Sequence, residues 1–406
     1  MATFVVIGAG QAGAWIARSL RSNGFEGRIV LIGDEDAAPY ERPPLSKEVL
    51  KGEALPDSTT VLKHEDAEAS GVELWLGESA SRIDREARRV LCASGRGIAY
   101  DKLFITTGSR VRTLPTPGLP DDRVFYLRTL RDAERLHQAM TRYQRVLVIG
   151  GGWIGLEVAA VARGMDKQVC VIELAPRLCA RAAPPAVSDY LRDLHARHGV
   201  DLHPDTRATL SWNGAQIEAD TGSGETPITA DMVVMAAGIV PNVELAAECG
   251  LAVDNGIVVD DQGRTSDPDI FAAGDVTNHP CRHAGTRLRL ESWDNAQHQA
   301  IAAACAALGK DDRYDEIPWF WSDQYDVNLQ ILGMPPIDVE PMRRGNPANG
   351  KCLWFFWRDG RIASVIAVNS PREIRVAKKW MLADRFPEPS AILDESLPLQ
   401  KLPIAE

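Results

Sequence analysis

The sequence predicts an α/β fold: two Rossmann-like dinucleotide-binding units and a small α+β domain at the C-terminal end. Two near-copies of one pattern predict the paired units. Thr3-Phe-Val-Val-Ile-Gly-Ala-Gly-Gln-Ala-Gly13 opens the chain, and Arg145-Val-Leu-Val-Ile-Gly-Gly-Gly-Trp-Ile-Gly155 repeats it. Each is a β-branched apolar run, a Gly-x-Gly-x-x-Gly turn and the start of a helix. A change of composition after Tyr314, where tryptophans gather at Trp319, Trp321, Trp354 and Trp357, predicts the third piece.

The glycines have separate tasks. Gly8 and Gly150 permit the tight turn out of the strand. Gly10 and Gly152 let the backbone approach a pyrophosphate, and Gly13 and Gly155 let the helix pack on its strand. Ala12 and Ile154 stand in the first helical turn, whose N–H groups and positive dipole end face the phosphates. One such motif is a weak signal. Two, each between a strand and a helix, indicate two dinucleotides, which suits a flavin reduced by a nicotinamide cofactor.

The other elements follow in chain order. Arg28-Ile-Val-Leu-Ile-Gly-Asp-Glu35 is the second strand of the first unit, and a proline-rich loop, Ala38 to Lys47, comes after it. Leu103-Phe-Ile-Thr-Thr-Gly108 is an apolar strand, and the prolines from Leu114 to Pro120 mark a boundary. In the second unit Gln168-Val-Cys-Val-Ile-Glu173 is a strand, and Asp231-Met-Val-Val-Met-Ala-Ala-Gly238 echoes the one ending at Gly108. Ile270-Phe-Ala-Ala-Gly-Asp275 is a strand before a helix that reaches Leu308, a return to the first unit. In the last piece two apolar strands flank Arg358-Asp-Gly-Arg361, a hairpin signal. The expected domains are FAD-binding at 1–108 with 237–313, NAD-binding at 109–236, and a C-terminal interface domain at 314–406.

Acids at strand ends carry the next expectation, because they bind ribose hydroxyls at the carboxyl edge of the sheet. Glu173 holds that place in the second unit and favours NADH over NADPH by repelling a 2′-phosphate; Arg177 and Arg181 downstream oppose that preference. In the first unit the aligned position is Gly33, so Asp34 and Glu35 are the candidates, with a solvated loop as the alternative. Asp275 is placed to orient a ribityl chain or, alternatively, to cap a following helix.

Composition bounds the rest. A chain of 406 residues implies two or three domains, and a net charge of −11 argues against nucleic acid as partner. The apolar run from Ala300 to Leu308 is far short of a membrane span, and the early strand at Thr3 leaves no room for a signal peptide, so a cytoplasmic protein is expected. The seven scattered cysteines contain no Cys-x-x-Cys, which argues against a redox-active disulfide. The histidines show no metal-ligand spacing, no metal is expected, and His195, His198 and His203 read as surface residues.

The chain resembles the FAD-dependent ferredoxin reductases of aromatic-ring dioxygenase and bacterial P450 systems, over essentially its whole length. The resemblance is carried by Arg42-Pro-Pro-Leu-Ser-Lys47, Thr107-Gly-Ser-Arg110, Leu127-Arg-Thr129, Gly150-Gly-Gly-Trp-Ile-Gly-Leu-Glu157, Ala273-Gly-Asp275, Glu291-Ser-Trp-Asp-Asn295 and Trp319-Phe-Trp-Ser-Asp-Gln324. It implies a glutathione-reductase-like FAD/NAD fold, electron flow from NADH through FAD to a [2Fe–2S] ferredoxin, and a terminal oxygenase downstream. It implies that Arg42 contacts the FAD phosphates, that Thr107, Gly108, Arg128 and Gly274 join the FAD site, and that Ala80 offers backbone to the adenine. It further implies that Asp275 holds the ribityl chain, that the backbone at Trp293 meets the pyrimidine edge, and that Gly238 belongs to the NAD site. Lys47 is implied near the reactive flavin edge, paired with Glu157 across the domain junction; the alternative is two unrelated surface charges.

Trp319 and Trp321 alternate and so share a strand face, either as core or, by the resemblance, with Trp321 helping an electron to the ferredoxin. Arg343, Arg344, Arg372, Arg375, Lys378 and Lys379 make the last domain locally basic, a face for an acidic ferredoxin or simply solvated charge. Three rivals stand beside the ferredoxin reductase: a rubredoxin reductase, an NADH oxidase or peroxidase, whose catalytic cysteine is missing near Pro44 and Ser46, and a redox-controlled interaction protein like apoptosis-inducing factor.

Overall fold

The computed structural model describes residues 1–224 and 226–404. The chain divides into two compact units: Met1–Arg42, Pro56–Arg110 and Ile239–Pro318 form the first, and Pro43–Leu55, Val111–Gly238 and Trp319–Glu406 the second.

The first unit is built on five parallel strands, in the order Ile270–Ala272, Lys102–Ile105, Thr3–Ile7, Arg28–Ile32, Val72–Trp75. Side chains alternate across a strand, and both faces of this sheet are covered. Phe4, Val6, Leu31 and Phe104 pack under helices Gln11–Ser22 and Trp293–Ala307 through Ile16, Leu20, Ala300 and Ala303. Val5, Ile7, Val30 and Ile105 face a three-stranded antiparallel sheet, Ala80–Asp84, Arg89–Cys92 and Gly97–Ala99.

The second unit repeats this plan. Its parallel strands run Asp201–His203, Gln168–Ile172, Arg145–Ile149, Met232–Met235, Val124–Phe125. Val146, Val148 and Val171 pack under helices Leu130–Arg142 and Trp153–Gly164, and Leu147, Ile172 and Val233 face a second three-stranded sheet through Ile217 and Ala219.

The C-terminal part of this unit is a five-stranded antiparallel sheet in the order Trp319–Gln324, Val327–Gly333, Arg361–Val368, Lys351–Arg358, Met342–Asn346. The Asp-Gly hairpin forms as expected, with left-handed φ of 52° at Asp359 and 75° at Gly360; both central residues of a type I′ turn need that conformation. One face shares a core with helix Pro185–Arg197, where Val327, Trp354 and Phe356 meet Tyr190, Leu191 and Leu194. Helix Pro371–Ala383 buries Ile374, Ala377 and Trp380 and contacts strands Val327–Gly333 and Arg361–Val368.

Two local expectations are corrected. Residues 43–55, read as part of the first domain, pack within the second unit, because Leu50 is fully buried with Phe125, Leu136 and Met140 and its carbonyl bonds His137 Nδ1 at 2.8 Å. The segment after Asp275 does not lead straight into a helix. Strands Thr277–Cys281 and Thr286–Leu288 form a hairpin first. Thr277, Asn278 and His279 are all buried there, so no alternation of polar and apolar residues announced the strand.

Candidate functional site

The two glycine turns have matching geometry. Gly8 has φ +109° and Gly150 φ +113°; a Cβ on either would lie 2.2 or 2.4 Å from the carbonyl oxygen of Thr106 or Ala236. A Cβ on Gly13 or Gly155 would lie 2.0 Å from the Gly8 or Gly150 carbonyl oxygen, so only glycine lets the helix start pack this closely. Gly10 and Gly152, by contrast, are the N-cap residues, and a Cβ on either meets nothing within 4 Å among the described residues. No acidic residue stands in either first turn. The result in each unit is a helix N-terminus opening on space, with its dipole and N–H groups ready for an anion. Ala12 is buried and Ile154 is 45% exposed, so only the second offers an apolar surface to a ligand.

Around the first turn several predicted residues come together. Helices Gln11–Ser22 and Trp293–Ala307 start side by side, with Gln11 Nε2 donating to the Trp293 carbonyl at 3.1 Å. Gly274, at φ +85°, fits between their starts: a Cβ would lie 3.2 Å from that of Ala12 and 3.7 Å from that of Ala296. Gln299 Oε1 accepts from Gly274 N–H and Thr277 O–H, both at 2.8 Å. The following strand excludes the N-cap reading of Asp275, and helix Trp293–Ala307 is capped by Ser292 instead. Arg42 Nη2 donates to Glu35 Oε1 at 2.9 Å and Nη1 to the Tyr40 hydroxyl at 3.2 Å, while Asp275 acts electrostatically on the same guanidinium. Glu35 is thus the engaged acid of the first unit, and Asp34 is exposed. Residues 77 and 78 bond back to the Glu35 and Gly33 carbonyls, which brings the strand start at Ala80 alongside.

Why the acids sit one place differently in the two units is steric. A Cβ at Gly33 would be 2.4 Å from the Ala9 Cβ; in the second unit the small residue is Gly151 and the acid Glu173 takes the facing place. Thr107 and Gly108 are locked onto Asn242. Thr107 Oγ1 donates to the Asn242 carbonyl at 2.8 Å, Asn242 Nδ2 returns a bond to the Thr107 carbonyl at 2.8 Å, and Asn242 N–H reaches the Gly108 carbonyl at 2.9 Å. Asn242 and Thr106, whose hydroxyl bonds the Ile7 and Gly8 carbonyls, went unread because single polar residues after a strand carry no pattern.

In the second unit Glu173 reaches its own glycine turn. Its carboxylate accepts from Gly151 N–H at 2.6 Å and Ala175 N–H at 2.7 Å. Arg177 faces inward to the Ala180 carbonyl at 2.9 Å and Ser188 Oγ at 2.8 Å. Arg181 is exposed, with its guanidinium 3.1 Å from where a Gly238 Cβ would stand. Arg128 lies just before helix Leu130–Arg142, whose capping box is Thr129 with Asp132.

Lys47 and Glu157 are not surface charges. Lys47 Nζ donates to Glu157 Oε2 at 2.9 Å, with side-chain exposures of 9% and 2%. Ser46 donates to the same oxygen, and Ser322 to Oε1 at 2.6 Å. All four belong to the second unit, so this pair does not cross between the units. Trp319 and Trp321 do share a face and stack with centroids 5.0 Å apart. Both are half-buried; the core side of that strand belongs to Phe320, Ser322 and Gln324.

Residues 2–300 match the family described as Pyridine nucleotide-disulphide oxidoreductase, and residues 319–403 match the description Reductase C-terminal. The chain belongs to the pyridine nucleotide-disulphide oxidoreductase family. The anthranilate 1,2-dioxygenase system ferredoxin–NAD(+) reductase component of Burkholderia cepacia is 42% identical, with 98% of each chain covered. Rhodocoxin reductase of Rhodococcus erythropolis is 40% identical over 98% of this chain and 94% of its own. Among solved structures, the ferredoxin reductase for the CYP199A2 system from Rhodopseudomonas palustris superposes with a TM-score of 0.93 at 39% identity, covering 99% of each chain. The reductase in a covalent putidaredoxin reductase–putidaredoxin complex also gives 0.93, at 34% identity over 98% of this chain and 97% of that one.

Membership brings FAD and NAD(H) as the two dinucleotides, and the two open helix N-termini fit them. The disulphide of the family's description has no counterpart here: all seven cysteines are free. Burial pushes the thiols of Cys170 and Cys352 up to about 12, away from thiolate chemistry. No described helix is long and apolar enough to cross a membrane. Two surface readings are corrected. His195 is fully buried, because its imidazole has hydrogen-bond partners on both nitrogens. Arg344 is 9% exposed and ties down the C-terminal segment through the Ile392, Asp394 and Leu397 carbonyls, so it leaves the basic face to Arg343, Arg372, Arg375, Lys378 and Lys379. Cys170, Asp201 and His203 gather their ligand-type atoms within 4.8 Å, and His203 Nε2 pairs with Asp201 Oδ2 at 2.9 Å.

Proposed function

We propose that the protein passes electrons from NADH through FAD to a [2Fe–2S] ferredoxin that serves a terminal oxygenase. The observation that carries this reading is end-to-end likeness to ferredoxin reductases, C-terminal sheet included, in a chain without a cysteine pair. When bound, FAD supplies the exchange between electron pairs and single electrons that nicotinamide does not perform.

The chain's own residues bind and orient. The turn at Gly8, Gly10 and Gly13 holds the FAD phosphates, with Arg42 as cation and Glu35 as acid for the adenosine ribose. Ala80 offers backbone to the adenine, and Thr107, Gly108, Arg128, Gly274, Asp275 and Trp293 complete that site. The turn at Gly150, Gly152 and Gly155 holds NADH, with Ile154 and Gly238 beside it. Lys47 is the cation for the reactive flavin edge, and Glu157 keeps its ammonium in place.

Glu173 is assigned the choice of NADH over NADPH, supported by a carboxylate at the turn and by Arg177 being turned inward. Glu173→Ala is expected to shrink the ratio of kcat/KM for NADH over NADPH by roughly tenfold or more, since a charged hydrogen bond is worth about 1.5–3 kcal/mol. An unchanged ratio removes the assignment. Trp321→Ala is expected to slow electron delivery to ferredoxin about tenfold, near 1.4 kcal/mol of barrier, while flavin reduction by NADH stays nearly intact. Equal loss of both steps marks Trp321 as structural.

The deciding experiment is NADH-driven cytochrome c reduction by the FAD-loaded protein, with and without an added [2Fe–2S] ferredoxin, repeated with NADPH. Strong ferredoxin dependence is expected. Fast flavin reduction without ferredoxin stimulation would move the endpoint to rubredoxin, to oxygen or to a non-enzymatic partner.

A further inference from the structure

Glu157 is the end of a longer series. Its Oε1 accepts the Ser322 hydroxyl proton at 2.6 Å, which leaves the Ser322 oxygen as an acceptor, filled by Gln324 Nε2–H at 3.0 Å. Gln324 Oε1 then faces His195 Nε2 at 2.7 Å. An amide oxygen only accepts, so Nε2 carries the imidazole proton. A neutral ring protonated there accepts at Nδ1, where the Tyr325 hydroxyl stands at 3.0 Å. Every proton from Tyr325 to Ser322 therefore points toward the carboxylate.

The members come from three elements of one unit: helix Trp153–Gly164, strand Trp319–Gln324 with its turn, and helix Pro185–Arg197. Glu157, His195, Ser322 and Gln324 are 2%, 0%, 0% and 3% exposed, so water cannot replace a missing partner. Turning any one group round would strand a buried donor or acceptor, and aligned hydrogen bonds polarise one another. Desolvation holds His195 neutral, with a pKa lowered to about 4 against the opposing bond to Gln324, and His198 adds to the lowering. The polar groups facing Glu157 are Lys47, Ser46 and Ser322, with the Cys179 thiol acting on it at longer range; those facing His195 are Gln324, Tyr325 and His198.

We propose that Ser322, Gln324 and His195 are positioning residues of the reductase: their one-way chain fixes the Glu157 carboxylate, and through it the Lys47 ammonium, in a single orientation. The kinetic consequence rests on the placing of Lys47 at the flavin; the chain itself does not.

Histidine 15N NMR of the FAD-loaded protein tests the chain, with His195 assigned by its disappearance in His195→Gln. The expected signal is a neutral Nε2–H imidazole from neutral pH to one unit above its pKa of about 4. Glu157→Gln, which makes the terminal acceptor neutral, should shift the His195 Nε2 proton upfield, and Ser322→Ala, which breaks the series, should do so as well. An Nδ1–H tautomer, or a proton indifferent to both changes, overturns the proposal; if Glu157→Gln does not fold, Ser322→Ala decides.

Stopped-flow reduction of the flavin by NADH tests the consequence. His195→Leu and Ser322→Ala should each slow it roughly fivefold with NADH affinity unchanged, as for loss of one hydrogen bond. The double variant should be no slower than Ser322→Ala, and His195→Gln, which keeps the N–H, should recover most of the rate. Additive losses, or a loss of NADH affinity in place of rate, overturn the positioning role. A wild-type protein that reduces its flavin but ignores ferredoxin would defeat the proposed function and leave both results standing.

Discussion

Glu157→Leu is expected to lower the stability of the second unit by about 3–5 kcal/mol, because it strands a buried ammonium. Lys47 has Glu157 at 2.9 Å and the Pro43 carbonyl at 3.2 Å, and little water can reach it. Removing the anion leaves a charge in low dielectric with one neutral acceptor. The double substitution Lys47→Met with Glu157→Leu should recover part of the loss, since an apolar pair of similar volume leaves no charge buried but leaves the Ser322 hydroxyl without its acceptor. The exposed pair Arg28–Glu73, at 38% and 44% exposure, is the internal control: Glu73→Gln should cost less than about 1 kcal/mol. Urea unfolding followed by tryptophan fluorescence reads all three. A Glu157→Leu midpoint no lower than that of Glu73→Gln would mean the pair is hydrated and carries little energy.

Two glycines of one turn should fail in opposite ways. Gly150→Ala combines a left-handed backbone with a Cβ 2.4 Å from a carbonyl oxygen, so the turn itself must move; a loss of at least about 3 kcal/mol is expected, from steric and backbone strain together. Gly152→Val meets no protein atom within 4 Å of its Cβ among the described residues, so its stability cost should stay near that of an apolar residue at an N-cap, about 1 kcal/mol. Its side chain would instead fill the space offered to the pyrophosphate, and NADH affinity should fall by roughly 100-fold or more, about 2.7 kcal/mol. Thermal melting and NADH titration of both proteins separate the cases. A Gly152→Val protein as destabilised as Gly150→Ala that still binds NADH would reverse the roles given to the two positions.

The parallel sheets were legible because buried strands read as unbroken β-branched runs, and glycine turns have fixed spacing. The hairpin at Asp359-Gly360 was legible for a similar reason, a local rule with a steric cause. The strand Thr277–Cys281 was not, since Thr277, Asn278 and His279 are polar yet buried, and the side-chain bonds of Thr277 and Asn278 reach Gln299 and the Asp254 carbonyl, more than 20 residues away. His195 was misread by the same route. A histidine near a helix end looks like surface until Gln324 and Tyr325, about 130 residues away, are seen to complete its hydrogen bonds. The placement of residues 43–55 depended on Leu50 entering a core of residues beyond 120, which no window of sequence displays.

The neighbouring starts of helices Gln11–Ser22 and Trp293–Ala307 have a consequence for synthesis. The bond from Gln11 to the Trp293 carbonyl spans 282 residues, and strand Ile270–Ala272 completes the sheet begun at Thr3. On the ribosome the first unit must therefore wait, its sheet edge and Ala12 face uncovered, while the whole of Val111–Gly238 emerges, a delay on the order of ten seconds. That interval is when the nascent chain is most open to aggregation or chaperone capture, and slower translation between residues 111 and 238 would lengthen it.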